Sequence, residues 1–253
     1  MENIEKLSQH LELPGLWDFA LASVDPRQRR TRHSESIQNA QATIGSWFHE
    51  SVLTQKLVVP LSEAANAAKV YPHNDTFADV LLRADDPDEK EAHVYPVHKA
   101  MLRSDFFSTM FTSHFREGQR QPPNSPLQVI SLPETQPEVL HLLLSFFYLE
   151  AFTIPLEHAL DLLLTADQLL VESLKPKCAL VISAAGNTDM RDLPYSIYDV
   201  IRAGWITRQR RLEEFGARYI AERLEVFIQD PEFAELVAEV HLPFHRKLDQ
   251  IRG

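Results

Sequence analysis

One segment, residues 77–115, constrains the fold more than any other part of the chain, because its hydrophobic pattern changes period along its length. Residues 77–84 and 92–97 are short, mostly apolar runs of strand length. The charged residues 85–91 separate them, which predicts a hairpin with an acidic, solvent-exposed turn. Apolar side chains then recur at helical spacing over residues 101–115. This order predicts an α+β domain.

Turn and helix signals organise the rest of the chain. Pro137 begins a helical pattern, at a position where its missing N–H costs no hydrogen bond. Asp230-Pro231-Glu232 is typical of a helix start with an acidic N-cap. The C-terminal helices have an apolar face, so we expect them to pack on the α+β domain. The predicted organisation is a partly helical N-terminal extension (1–70), the α+β domain (71–185) and a helical C-terminal segment (190–253). Within the α+β domain, further strands are predicted at 127–132 and 152–154, and helices at 156–169 and 172–184.

Composition and charge exclude several classes of protein. The chain has 253 residues, of which 44% are hydrophobic, as in an ordinary globular protein. Its 25 basic and 36 acidic residues give a net charge of −11, with no extended basic face for nucleic acid. Its longest apolar stretch, near residues 142–149, is far too short to cross a membrane. We therefore expect neither nucleic acid nor membrane as a partner.

No catalytic or cofactor-binding pattern is found in the sequence. The seven glycines are scattered, so no phosphate-cradling loop can form. The histidines do not have metal-ligand spacing, and one cysteine, Cys178, cannot build a thiolate cluster. Cys178 is predicted to be a buried thiol and His98 a hydrogen-bonded core histidine. We therefore expect that the chain is not an enzyme and that it binds neither a metal nor a cofactor.

Cysteine content and the N-terminus bear on location. A single cysteine excludes an intrachain disulfide and fits a reducing compartment. Residues 1–6 do not have the basic and apolar pattern of a secretory signal. The expected location is the cytoplasm, the nucleus or both.

Several stretches of the middle zone carry a family pattern. Phe77-Ala78-Asp79-Val80 places an aspartate before a valine in the first strand, and residues 96–104 read Pro-Val-His-Lys-Ala-Met-Leu-Arg-Ser. Residues 106–117, 146–148 and 163–169 continue the pattern, although Leu149-Glu150 replaces its usual Thr-Gly. In this order and spacing the stretches resemble the BTB/POZ family. The resemblance implies the BTB/POZ fold, a small mixed sheet with a cluster of helices.

The C-terminal segment resembles a second pattern. Residues 197–200, 212–219 and 233–237 are similar to the tail of ankyrin-repeat/BTB proteins, although no ankyrin repeat is visible in this chain. The segment is therefore interpreted as a BACK-like helical extension of the BTB/POZ domain.

The BTB/POZ resemblance implies a homodimer. It places Asp79 in a charged pocket at the dimer interface, with Lys99 or a neighbour as its partner. An intrachain ion pair of Asp79 is the alternative, because a carboxylate within an apolar strand needs a partner. Residues 57–68 are expected to form a helix that packs across the two-fold axis.

The same resemblance implies a partner surface for a cullin-3-type ubiquitin-ligase scaffold, formed by Phe111, Phe115, Glu117, His158 and Leu160. Strong binders have a hydrophobic-x-acid triplet where this chain has His158-Ala159-Leu160, so cullin binding is expected to be weaker than in those proteins. Phe111 also suits core packing. The chain is predicted to be a substrate adaptor with an unidentified protein substrate. The alternative is a BTB scaffold or regulator that oligomerises without a ligase.

Overall fold

The structure is a computed structural model that describes residues 6, 10–11, 26–71, 74–112, 126–149, 152–185 and 193–239. The chain divides into two compact units, residues 1–50 and 51–253. In the first unit, Pro26–Phe48 form helix α1, and a π-helical turn, His49–Leu53, follows along the chain. In the second unit the strands are β1 (Leu57–Pro60), β2 (Val80–Asp86), β3 (Glu91–Val97) and β4 (Gln128–Ser131). The helices are α2 (Ala67–Val70), α3 (Asp105–Thr112), α4 (Pro137–Tyr148), α5 (Leu156–Gln168), α6 (Lys175–Ala184), α7 (Ile197–Thr207), α8 (Arg210–Ala221), α9 (Leu224–Phe227) and α10 (231–239), with 3₁₀ turns at Ala64–Asn66 and Lys99–Met101.

A mixed four-stranded sheet has the strand order β1-β3-β2-β4. Strands β2 and β3 form the predicted antiparallel hairpin, with Leu82 opposite Tyr95. In the acidic turn, Asp86 Oδ1 accepts hydrogen bonds from the backbone N–H groups of Asp88 (3.0 Å) and Glu89 (3.2 Å). This side-chain acceptor closes the turn locally and leaves the charged residues in solvent. Strand β4 pairs in parallel with β2, which makes the sheet mixed, as predicted.

Strand β1 corrects the prediction for residues 57–68. Residues 57–60 were expected to begin a helix, but they pair antiparallel with β3, with Leu57 opposite Val94. Val59 is buried and Val58 is 45% exposed, which is the period-two pattern of an edge strand. β-branched residues favour a strand when a free sheet edge is available. This stretch of the predicted extension therefore belongs to the sheet.

The helices α4, α5 and α6 form a layer against the sheet. Helix α4 begins at Pro137, as predicted, and packs on β2. Helix α5 packs on both α4 and α6. The leucines that join these helices are buried, namely Leu140, Leu143, Leu144, Leu162, Leu163 and Leu174.

The predicted strand at residues 152–154 is wrong. These residues have no strand pairing, and Pro155 immediately becomes the N-cap residue of α5. Residues 152–154 belong to the connection between α4, which ends at Tyr148, and α5, which begins at Leu156. The buried side chain of Ile154 anchors that connection.

The C-terminal helices pack on the helical layer, which confirms the docking prediction. Helix α7 packs on α5, while α8 packs on α6 and α7. On the predicted apolar face, Tyr219 and Phe227 are buried. The predicted start of α10 is also confirmed, because Asp230 Oδ1 accepts a hydrogen bond from the N–H of Glu232 (3.0 Å).

Candidate protein-interaction surface

Asp79 lies at the entry to β2 and is exposed, instead of lying buried within a strand. Its carboxylate accepts a hydrogen bond from the backbone N–H of Lys99 (Oδ2···N 3.1 Å). Its own N–H donates to the carbonyl of Val97 (3.0 Å). Asp79 therefore fixes the chain where β3 passes into the 3₁₀ turn.

The Asp79–Lys99 contact is made through the backbone of Lys99 and not through its ammonium. Lys99 Nζ lies 4.8 Å from the ring centroid of Phe111. Among the described residues Asp79 forms no ion pair, so the alternative of an intrachain ion pair has no support in that part of the chain. A place for Asp79 and Lys99 at a dimer interface stays a prediction.

His98 is hydrogen-bonded through both ring nitrogens, as predicted. Nε2 lies 2.8 Å from the carbonyl oxygen of Thr76, which can only accept, so Nε2 carries a proton. Nδ1 lies 2.9 Å from Tyr148 Oη, and the backbone N–H of His98 donates to the same oxygen (2.9 Å). In the neutral tautomer the Tyr148 hydroxyl donates to Nδ1 while it accepts from the backbone. Burial raises the pKa of Tyr148, which keeps this hydroxyl protonated.

Helix α3 combines an inward aromatic face with an outward polar face. Phe107 is fully buried, and its ring stacks on that of Phe111 with centroids 5.9 Å apart. Phe111 is half-buried, so it contributes to the core and also reaches the surface beneath the Lys99 ammonium. Thr109 and Thr112 are exposed on the outer side. We call the exposed side of α3, with Thr109 and Thr112, together with its edge at Phe111 and Lys99, the α3 surface.

The predicted partner residues do not all share the α3 surface. Phe115 and Glu117 lie outside the described residues. Leu160 is only 8% exposed, because it faces the interior of the helical layer from α5. A buried side chain cannot contact a partner without a rearrangement of its helix, so this position does not suit the predicted role of Leu160.

His158 is half-buried and lines a cleft of about 210 Å³ between the sheet and the starts of α4 and α5. Lys56, His93, Tyr95 and Glu138 line the same cleft. Burial and the nearby charge of Lys56 lower the pKa of His93. His158 therefore lies in a cleft of mixed charge, separate from the α3 surface.

Sequence reasoning missed an ion-paired lysine at the start of α6. Lys175 is buried, and its Nζ lies 2.8 Å from both Asp167 Oδ1 and Glu172 Oε2. Burial lowers the pKa of Lys175, but the hydrogen bonds to Asp167 and Glu172 outweigh that effect and raise it. The sequence feature that could have indicated this ion pair is Asp167, which lies within the stretch that resembles the BTB/POZ family. The Asp167 carboxylate compensates the buried charge of Lys175 between α5 and α6.

Cys178 is fully buried in α6, which confirms its predicted structural role. Burial raises the pKa of its thiol to about 12. A thiol with such a pKa is almost entirely protonated at neutral pH and is therefore a poor nucleophile or metal ligand.

Residues 69–184 match the family model described as the BTB/POZ domain. This part of the chain is a BTB/POZ domain. The match agrees with the mixed sheet and helical layer, and it confirms the resemblance found in the sequence. BTB/POZ domains are protein–protein interaction modules, so the exposed surfaces described above are candidates for binding other proteins.

Two yeast proteins are similar to parts of the chain. The chain is 33% identical over 229 residues to BTB/POZ domain-containing protein 3 of Schizosaccharomyces pombe, a match that covers 88% of this chain and 39% of that protein. It is 31% identical over 156 residues to an ankyrin repeat-containing protein of Saccharomyces cerevisiae, covering 57% of this chain and 29% of that protein. The chain thus spans well under half the length of either relative.

In the described part of the chain, no group of three or more His, Cys, Asp or Glu side chains is arranged to hold a metal ion. The helices of that part are also too short or too polar to span a bilayer.

Proposed function

We propose that the chain is a substrate adaptor, in which the BTB/POZ domain forms a homodimer and binds a cullin-3-type ubiquitin-ligase scaffold. The observation that carries the proposal is the α3 surface. Its aromatic ring, Phe111, is half-buried and lies beneath the Lys99 ammonium. Central aromatic side chains contribute much of the binding energy at protein interfaces. The substrate is an unidentified protein, and a cytoplasmic or nuclear location, where cullin scaffolds act, is part of the proposal.

The C-terminal helices support an adaptor role because, among the described residues, α3 is not one of the helices on which they mainly pack. They pack on α5 and α6, on the other helices of the layer. A partner bound at the α3 surface would therefore leave the C-terminal helices accessible to a second protein. This arrangement allows one protomer to bind scaffold and substrate at different surfaces.

The test is a titration with a purified cullin-3 N-terminal domain. We expect binding with a Kd of about 10 µM or tighter for the unmodified chain. Thr109→Asp places a charge on the exposed side of α3 and should weaken binding at least about tenfold, because the complex would bury an unpaired carboxylate. Ala217→Asp adds the same charge at an exposed position of α8 and serves as the control. Absence of binding at about 100 µM would refute the adaptor proposal.

The homodimer is tested separately by sedimentation velocity. Obligate dimer interfaces commonly bury on the order of 2,000 Å² or more, so we expect a dimer at micromolar concentration. A monomer at that concentration would contradict this part of the proposal. Asp79→Ala and Lys99→Ala then report whether either residue contributes to the interface.

A second candidate function is a BTB scaffold or regulator that oligomerises without a ligase. It is favoured by the burial of Leu160 and by the position of His158 in a separate cleft, since both residues were expected on the cullin-binding surface. A dimer in sedimentation together with no cullin binding would favour this candidate.

A further inference from the structure

A cleft of about 280 Å³ opens where the end of α4 meets the start of α6. Its floor is apolar and includes Phe146 and Leu149. Three polar side chains stand at its rim: Arg103 from the segment before α3, and Ser173 and Lys177 from the start of α6. All three are exposed, so they can reach a bound molecule.

In the part of the chain that the structure describes, no carboxylate neutralises the two cations of this cleft. Within the described residues, neither Arg103 nor Lys177 forms an ion pair. The nearby carboxylates of Asp167 and Glu172 bind Lys175 instead. Lys177 Nζ lies 5.1 Å from the ring centroid of Phe146, over the cleft floor. Two cations at one cleft give it a local positive charge in a chain whose net charge is −11, and this charge favours an anionic occupant.

The apolar floor of the cleft indicates which kind of anion fits there. A small inorganic anion would contact the cations but would leave the half-buried side chains of Phe146 and Leu149 on the floor uncovered. A ligand with a carboxylate next to a large apolar side chain would contact both the cations and the apolar floor. The guanidinium of Arg103 is suited to bidentate contact with a carboxylate, and the Ser173 hydroxyl can donate a further hydrogen bond.

We propose that this cleft binds a peptide segment of a partner protein in which an aspartate or glutamate lies next to a large apolar residue. The proposal goes beyond the adaptor function and does not depend on it, because the cleft and the α3 surface are formed by different side chains. Binding at the cleft would give the BTB/POZ domain a second, charge-selective contact with proteins.

The probe is the blocked dipeptide acetyl-Phe-Asp-amide, and its matched control is acetyl-Phe-Asn-amide, which differs only in charge. Backbone amide shifts of the full chain are followed by NMR during each titration. We expect saturable shifts at residues 146–149 and 173–177, with the Asp peptide binding about tenfold more tightly than the Asn peptide, since charge-assisted hydrogen bonds are the stronger ones. Inorganic phosphate should bind more weakly than the Asp peptide.

Variants of exposed residues separate the site from general charge effects. Lys177→Gln should weaken binding of the Asp peptide several-fold, and Lys177→Arg should retain it. Arg210→Gln removes a cation that is 87% exposed on α8 and should leave binding unchanged. The proposal is overturned if the Asp and Asn peptides bind equally, if the shifts lie elsewhere, or if Lys177→Gln and Arg210→Gln have the same effect.

Discussion

Tyr148 is the side chain on which the entry to the helical layer depends most directly. Its hydroxyl bonds to both the backbone N–H and the ring Nδ1 of His98, each at 2.9 Å. Tyr148→Phe leaves these groups without that partner, so we expect the free energy of unfolding to fall by about 1–3 kcal/mol. Urea denaturation followed by circular dichroism measures the change.

Tyr195→Phe is the control for this prediction. The hydroxyl of Tyr195 is buried and has no hydrogen-bond partner in the described part of the chain. Its removal should therefore leave stability unchanged or raise it. A loss for Tyr195→Phe as large as for Tyr148→Phe would show that the bond to His98 is not the cause.

Lys175 gives a second prediction at the residue scale. Asp167→Ala removes one of the two carboxylates that compensate this buried ammonium, and we expect a loss of about 1–3 kcal/mol. Glu172→Ala is the control, because the Glu172 side chain is 67% exposed and should contribute less than about 1 kcal/mol. Equal losses for the two variants would contradict the role given to Asp167.

The effect of Asp167→Ala should depend on pH. The folded-state pKa of Lys175 lies above its ordinary value of 10.5, so its ion pairs stabilise the fold fully below that pH. The contribution is lost as pH rises through the folded-state pKa. Thermal unfolding between pH 7 and 11 should therefore show the gap between the unmodified chain and Asp167→Ala narrowing at the alkaline end.

At the scale of elements, the crossing of α7 and α8 depends on Gly216. A Cβ added there would lie 2.2 Å from Cγ1 and 2.8 Å from Cδ1 of Ile201. The two helices can approach this closely only because Gly216 has no side chain. A Cβ added at Gly204 would be less crowded, with its nearest contact at 3.1 Å from Leu212 Cβ.

Gly216→Ala should therefore destabilise the protein by about 1–3 kcal/mol, although alanine is the better helix former. Gly204→Ala should cost less. Ile201→Ala removes both crowded carbon atoms, so the double variant with Gly216→Ala should lose less stability than the sum of the two single variants. Additive losses in denaturant titrations would contradict a direct clash between these positions.

At the scale of the whole molecule, the BTB/POZ domain and the C-terminal helices should remain associated when the chain between them is cut. Helix α7 packs on α5, and α8 packs on α6. We expect that cleavage at a site-specific protease sequence inserted after Asn187 yields two fragments that elute together by size exclusion. Separation in buffer without denaturant would contradict the observed docking.

The sequence by itself determined the elements with strong local signals. The β2–β3 hairpin followed from two apolar runs around an acidic turn, and the start of α4 from Pro137. The burial of Cys178 and the bonding of His98 followed from their apolar neighbours. These features depend either on contacts between residues close in sequence or on the general tendency of a residue type to be buried.

Tertiary structure alone decided the rest. Residues 57–60 form a strand because β3 has a free edge beside them, and an apolar run of this length is compatible with strand or helix until that edge exists. Leu160 is buried and Asp79 exposed because the packing of α5 and the turn at Lys99 fix which way each side chain faces. Lys175 can be buried because Asp167, eight residues earlier, is brought within 2.8 Å of its ammonium. The local sequence pattern determines where a helix or strand begins. Contacts with residues distant in sequence determine whether a side chain is buried, exposed or ion-paired.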